Sequence, residues 1–171
     1  MIPELGHFAL ILAFCVALVQ AILPLVGAAR HHPALMAVAR PAAQGQFVFV
    51  LLSFLALVWA FVNNDFSVQY VASHSNTETP VYYKVTAVWG SHEGSLLLWG
   101  LILSVWTVAV TVFSRHVPEV FIARVLGVLG CVSSGFLAFL LVASNPFERL
   151  IPGAAEGRDL NPLLQDPGMI I

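Results

Sequence analysis

The chain has 171 residues, of which 59% are hydrophobic and 9% are charged, and its mean hydropathy is +0.89. A soluble domain carries roughly 25% charged residues because its surface must stay hydrated, so this composition excludes a soluble globular protein. The formal net charge of −2 and the lack of any block of lysines and arginines exclude a nucleic-acid-binding surface.

Four apolar runs are long enough to cross a bilayer: residues 5–29, 42–62, 95–113 and 120–143. A helix needs about 20 apolar residues to span ~30 Å of hydrocarbon. The runs lack the period-two alternation of a barrel strand, and lipid offers no partner for an open backbone amide. The sequence therefore predicts an all-α integral membrane protein with four transmembrane helices.

The runs divide the chain into four parts. Residues 1–62 contain transmembrane helices 1 and 2, residues 63–94 form an outer loop, and residues 95–143 contain helices 3 and 4. Residues 144–171 form a second outer segment, which leads towards a next helix that the chain does not include. The first run is predicted to be a retained helix, because only Glu4 precedes it and a signal peptide needs a positive start and a shorter apolar core.

The loop charges predict the orientation of the helices. Short loops rich in arginine and lysine stay on the cytoplasmic side of the membrane. The loops after the first and third runs, together with Arg124 at the start of the fourth run, have a net charge of +3, whereas the termini and the long loop together have a net charge of −5. Both termini and the loop of residues 63–94 are therefore predicted to lie on the periplasmic side. The residues on the positive side are Arg30, Arg40, Arg115, Glu119 and Arg124.

The outer loop carries two patterns of its own. Residues 65–71 alternate apolar and polar side chains, which favours a short strand or an edge on the membrane surface. Tyr82, Tyr83 and Trp89 follow, and such side chains commonly settle at the depth of the lipid headgroups. An ordinary aromatic belt explains most of this second pattern.

An ionisable and aromatic patch stands where the outer loop meets the third run. His92, Trp99 and Trp106 are seven residues apart, so on one helix they differ by only about 20° in facing and form a stripe. Trp89 would join this stripe if the helix extended back, although Gly90 disfavours that extension. The stripe suits the apolar face of a large planar ligand, and packing against neighbouring helices is an equally good explanation.

The titratable residues near the patch give weaker signals. Glu93 either holds a cation or His92, or is a solvated acid at headgroup depth. Three histidines lie in the outer parts of the chain, and haem iron or another metal ion accepts an imidazole as a ligand. His92 is the first candidate ligand, His7 the second and His74 the last. A single histidine in a loop is usually a surface group. The two cysteines lie within apolar runs and form no C-x-x-C or C-x-x-C-H motif, which excludes a thiol exchanger and a covalent haem carrier.

Several strings in the sequence resemble one known family along nearly the whole chain. The sequence of residues 85–99 is VTAVWGSHEGSLLLW, and that of residues 157–168 is GRDLNPLLQDPG. Shorter matches are MIPELG at residues 1–6, NNDF at 63–66 and YVAS at 70–73. With these motifs the chain closely resembles the cytochrome c maturation haem lyases of the CcmF type.

The resemblance implies an N-terminal portion of a larger polytopic protein of the bacterial inner membrane. Such proteins attach haem to apocytochrome c outside the membrane, with haem b as cofactor of the complete lyase and with a haem chaperone and other maturation subunits as partners. The tryptophan-rich segment and haem-gripping histidines of the family lie further along the protein, so the resemblance places no catalytic residue in this chain. The related lyase that serves nitrite reductase fits the same strings.

Two other functions remain as alternatives. A proton or solute transporter would require charged residues near the middle of the bilayer, and the four runs have none at their centres, where Gln20 is the largest polar side chain. A structural anchor for a partner protein would use a face of small residues, such as the one that the fourth run offers. The residues of that face are Gly127, Gly130, Ser134 and Gly135.

Overall fold

The computed structural model describes residues 1–159 and residue 161. The remainder of the second outer segment, including the start of the predicted next run, lies outside the described residues. The described chain contains helices and one isolated antiparallel bridge, and no named strand. The helices are α1 (Ile2–Arg30), α2 (Pro33–Ala37), α3 (Ala39–Val62), α4 (Gln69–His74), α5 (Val81–Ala87), α6 (His92–Phe113) and α7 (Glu119–Val142).

Four helical segments are long and apolar enough to span a membrane, which confirms the predicted fold class. They are Ile2–Arg30, Pro33–Val62, His92–Phe113 and Glu119–Val142. Each contains most of one predicted run and begins before it. At the first, third and fourth segments the added first turn contains polar residues, Glu4, His92 and Glu119, whereas at the second segment α2 and the start of α3 precede the run. α7 starts directly after Pro118, whose fixed φ suits the position before the first helical turn.

The first helix lies between α3 and α7 and buries a face made of small side chains. Lipid tails are as apolar as leucine, so membrane helices gain contact energy chiefly by close packing of small residues. Gly127 and Gly130 of α7 show this packing, since a Cβ on Gly130 would lie 2.7 Å from the backbone nitrogen of Ala21. The small residues buried on α1 are Gly6, Ala9, Ala13, Ala17, Ala21, Gly27 and Ala28.

Two polar side chains tie the helices together. Gln20 is fully buried, and its Nε2 donates a hydrogen bond to the carbonyl of Leu126 at 2.8 Å. Arg40 of α3 donates from Nη1 to the carbonyl of Thr111 at 2.6 Å and from Nη2 to that of Ser114 at 3.4 Å. A cation at these last carbonyls also complements the negative end of the α6 dipole.

A cap covers one end of the bundle, and it is built from two segments that are distant in sequence: residues 63–91 and residues 144–159. Backbone hydrogen bonds join them, from Gln69 to Glu148 at 2.9 Å and from Leu150 to Ser67 at 2.9 Å. Further along, the backbone N–H of Arg158 donates to the carbonyl of Ala72 at 2.7 Å. The segments that the sequence suggested as separate outer loops therefore fold as one unit.

The predicted strand at residues 65–71 is wrong. Asn64 has a φ of 53°, and the side chain of Asp65 accepts hydrogen bonds from the backbone and hydroxyl of Ser67, so the chain turns instead of extending. Only Val68 pairs like a strand residue, in the isolated bridge to Arg149. The alternation instead reflects burial in the cap, because local turn chemistry of Asn, Asp and Ser overrides a short period-two pattern.

Candidate functional site at the mouth of α6

The residues just before α6 form turns, so the helix does not extend back to Trp89. The backbone N–H of Ser91 donates to the Tyr70 hydroxyl at 3.2 Å, and this hydroxyl donates to the carbonyl of Val88 at 3.0 Å. The side chain of Trp89 is half-buried and packs against the core that the cap shares with the bundle. Trp89 therefore belongs to the cap, and the condition under which it would join the stripe is not met, as Gly90 already indicated.

Tyr70 and Gly94 fix how the cap sits on the first turn of α6. Burial raises the pKa of Tyr70, so the phenol keeps the proton that it donates to the cap backbone. A Cβ on Gly94 would lie 1.6 Å from the carbonyl oxygen of Val88 and 2.7 Å from the Tyr70 hydroxyl. Only glycine lets the loop pass this close to the helix.

His92 and Glu93 open α6 at the border of the cap. Their side chains approach to 3.4 Å between His92 Nδ1 and Glu93 Oε2, which makes an ion pair when the imidazole is protonated. The His92 side chain is 68% exposed, whereas Glu93 Oε2 is buried and has no hydrogen-bond partner. The positive end of the helix dipole favours a carboxylate in this first turn. Glu93 thus approaches His92 through the same buried Oε2, without forming a hydrogen bond to it.

Trp99 and Trp106 face away from the bundle. The two side chains are 64% and 67% exposed, and Phe113, seven residues further, is 78% exposed. The stripe from His92 therefore continues to the end of α6, and the same seven-residue spacing would have identified Phe113 from the sequence. Because the indoles are open, packing against α1, α3 and α7 does not explain why two tryptophans stand on this face.

His7 lies in a second outer location, at the foot of the cap. Its Nδ1 is 3.3 Å from Asn145 Oδ1, which also accepts the backbone N–H of Phe147 at 3.0 Å. Because an amide oxygen can only accept, His7 Nδ1 is the donor in this contact. A cavity of about 380 Å³ adjoins the imidazole. It is lined by Pro3, Glu4, His7, Asn145, Phe147, Glu148 and Arg149.

The three outer histidines do not form a shared metal centre in the described part of the chain. His74 Nδ1 contacts the Tyr70 carbonyl at 3.0 Å and its ring lies 4.9 Å from the Tyr70 ring, whereas His7 and His92 have other partners. The described residues contain no group of three or more His, Cys, Asp or Glu side chains placed to hold a metal ion. Each histidine could supply at most a single ligand to an iron that other segments complete. The sequence did not identify Asn145 as the residue that orients His7, because 138 positions separate the two.

Comparisons with known proteins agree on one family. A family model described as a cytochrome C assembly protein matches residues 89–171. The cytochrome c-type biogenesis protein CcmF of Pseudomonas aeruginosa PAO1 is 62% identical over 172 residues, which cover 100% of this chain and 26% of that protein. The CcmF of Escherichia coli K12 is 55% identical over 171 residues, with 99% of this chain and 26% of that protein covered.

A solved structure supports the same assignment. The cytochrome c haem lyase CcmF aligns with a TM-score of 0.80 and 29% sequence identity, over 86% of this chain and 25% of that chain. This chain thus spans about a quarter of the length of the relatives that it matches. The chain belongs to the CcmF-type cytochrome c biogenesis proteins and corresponds to an N-terminal portion of them.

Proposed function

We propose that this chain is the N-terminal membrane portion of a haem lyase that attaches haem to apocytochrome c, and that it borders the haem path without ligating the iron fully. The observation that carries the proposal is the open stripe of His92, Trp99 and Trp106 on α6, within the part of the chain that the family model matches. Flat apolar indoles suit the edge of a porphyrin, which the cytochrome c haem lyase relatives handle. We assign no catalytic residue to this chain.

The geometry fits contact with haem b and does not fit complete ligation. His7 contacts Asn145, His74 contacts the Tyr70 carbonyl and His92 contacts Glu93, so each imidazole is held by a different partner. A six-coordinate haem needs two axial ligands that converge on one iron. In this proposal the iron ligands come from the rest of the lyase, and the partners are apocytochrome c, a haem chaperone and the other maturation subunits.

The proposed location is the bacterial inner membrane, with the cap and both ends of the chain on the periplasmic side. The arginines at the opposite end of the bundle from the cap support this orientation, since such residues favour the cytoplasmic side. The outer parts are then residues 63–94 and 144–171, and the membrane parts are residues 1–62 and 95–143. The stripe would begin at the periplasmic surface with His92 and continue into the bilayer with Trp106.

The alternative functions explain less. For a transporter, the buried polar residues inside the spans are amides and hydroxyls, such as Gln20, Gln46 and Ser53, and no acidic or basic side chain lies among them. For an anchor, Gly127 and Gly130 of the predicted face already contact α1, and Gly135 of that face stays open. The open aromatic stripe has no role in either alternative.

The test uses a chimera in which this chain replaces the matching segment of the Pseudomonas aeruginosa relative, in a strain that lacks its own lyase. Trp99→Ala and His92→Ala are expected to lower the yield of holocytochrome c while the membrane abundance of the chimera stays near that of the unmutated form. Trp59→Ala is the matched control, because Trp59 is an exposed tryptophan on α3 outside the stripe. Haem staining measures the yield, and immunoblotting measures the abundance.

Three outcomes would refute the proposed role. Normal maturation in both stripe variants would show that the face has no part in haem handling. A fall in abundance that matches the fall in yield would instead assign Trp99 to helix packing within the complete protein. Loss of yield in Trp59→Ala as well would show that any exposed tryptophan matters, which would remove the specificity of the stripe.

A further inference from the structure

An apolar cleft separates α6 from the outer half of α7. It has a volume of about 400 Å³ and is open to the surroundings of the bundle. Its walls are apolar side chains and a glycine, and it lies on the same helix, α6, as the open tryptophans. The residues that line it are Leu96, Val132, Gly135, Phe136 and Phe139.

The glycines of α7 provide an internal comparison. A Cβ on Gly127 would lie 2.6 Å from Leu25 Cγ, and a Cβ on Gly130 would lie 2.7 Å from the Ala21 backbone, so both glycines are required by α1. A Cβ on Gly135 would have no atom within 4 Å. Glycine destabilises a helix interior relative to alanine, and in membrane helices it marks the places where another helix approaches closely. Nothing in the described chain approaches Gly135.

The comparisons show how much of the related proteins lies outside the span that this chain matches. The family model begins at residue 89, so α6 and α7 lie inside the matched region, whereas α1 and α3 precede it. The CcmF relatives are about four times as long as the span that this chain matches. The further membrane segments of such a protein must pack somewhere on this bundle, and the cleft is the place where close approach meets no obstacle.

We propose that the cleft between α6 and α7 seats a transmembrane helix from the part of the CcmF-type lyase that follows the matched span. The backbone of that helix lies against Gly135, between the rings of Phe136 and Phe139. A second copy of this chain and a lipid acyl chain are the competing occupants. The inference rests on family membership and on the cleft, and it does not depend on the haem role of the stripe.

The first experiment measures association. This chain, carrying an affinity tag, is co-expressed with the Pseudomonas aeruginosa CcmF that lacks its matching N-terminal segment, and the complex is purified in mild detergent. The unmutated chain is expected to retain the remainder of the lyase, and Gly135→Leu is expected to reduce the retained amount at least tenfold. Cys15→Leu is the control, since Cys15 is an exposed small residue on α1, away from the cleft.

Circular dichroism and membrane abundance of the Gly135→Leu chain verify that it still folds, as expected from the open space around the Cβ. Equal retention by Gly135→Leu and by the unmutated chain would overturn the proposal. Equal loss in Cys15→Leu would also overturn it, because the effect would then not be specific to the cleft. If the Gly135→Leu chain does not fold, the cross-linking experiment decides.

The cross-linking experiment identifies the occupant directly. Gly135→Cys, in a chain with Cys15 and Cys131 replaced by alanine, is labelled with a benzophenone maleimide and irradiated in the co-expressed membranes. The proposal predicts an adduct whose mass is that of this chain plus the remainder of the lyase. An adduct of two copies of this chain, or labelling of lipid alone, would assign the cleft to the competing occupant. Haem-free membranes give the same result, so failure here is separable from failure of the proposed function.

Discussion

Gly94 and Gly100 lie on the same helix and offer a test of how the cap is held. A Cβ on Gly94 would be 1.6 Å from the Val88 carbonyl oxygen, so reaching the 3.0 Å that real Cβ atoms keep requires a shift of about 1.4 Å. Overpacking of this kind costs roughly 1–3 kcal/mol, and losing the Tyr70 hydrogen bond to Val88 adds about 1 kcal/mol. Gly94→Ala should therefore destabilise the closed cap by about 2–4 kcal/mol.

Gly100→Ala is the matched substitution, because a Cβ at Gly100 would meet no atom within 4 Å. It should leave the cap unchanged and stabilise α6 by up to about 1 kcal/mol, which is the difference in helix propensity between the two residues. The same chemical change at two positions of one helix is thus expected to have opposite signs.

Trypsin cleavage after Lys84 measures opening of the cap, because the Lys84 side chain is only 4% exposed and donates to Asn64 Oδ1 at 2.6 Å. When opening and closing are fast, the cleavage rate follows the open population, and each 1.4 kcal/mol is about tenfold. Gly94→Ala should accelerate cleavage about 30- to 700-fold, which corresponds to the ~2–4 kcal/mol above. Cleavage after the exposed Arg115 serves as the internal standard. An unchanged rate at Lys84 in Gly94→Ala, or equal acceleration in Gly100→Ala, would refute the steric argument.

Three further predictions test other parts of the molecule. Glu78 and His32 are exposed, so each can be replaced by a single cysteine in a chain without Cys15 and Cys131. On intact cells a membrane-impermeant thiol reagent should label Glu78→Cys and not His32→Cys. The reverse pattern would invert the proposed orientation. Haem added to the purified chain should give no stoichiometric six-coordinate low-spin spectrum, because each outer histidine is held by a different partner, and a full-occupancy spectrum of that kind would contradict this account. The pKa of Tyr70 is raised in the folded chain, so the contribution of this residue to stability is complete below the unfolded-state pKa of about 10 and is lost progressively above it. Thermal stability should therefore fall above pH ~10 in the unmutated chain and fall less in Tyr70→Phe.

The four spans could be predicted from the sequence because the physical requirement is simple. A helix that crosses a bilayer needs about 20 apolar residues, and each predicted run lies within or close to one helical segment of the structure. The predicted starts were too late by a few residues at α6 and α1, where His92, Glu93 and Glu4 occupy first turns. These polar first turns lie at the ends of the spans, where the chain is still helical although its sequence is no longer apolar.

The cap could not be predicted from the sequence, since its decisive contacts join residues that are far apart. Glu4 pairs with Arg149, and more than half of the chain separates these two residues. The backbone N–H of Gln69 donates a hydrogen bond to the carbonyl of Glu148. A local pattern read residues 65–71 as a strand, whereas the turn at Asp65 and the cover provided by residues 144–159 determine the observed conformation. Long-range hydrogen bonds of this kind leave no periodic trace in a single sequence.

The motif at the mouth of α6 therefore contains two sets of residues with different physical reasons to be there. Trp89 and Gly94 are explained by the chain's own fold, since one packs in the cap core and the other admits the Val88 carbonyl. His92 and Trp99 are not, because both side chains are open and neither supports a neighbouring helix of this chain. An open aromatic side chain on a membrane span faces lipid or another molecule, and the proposed function assigns this face to the haem path. Substitutions in the first set should thus lower stability, and substitutions in the second should lower haem attachment at constant stability.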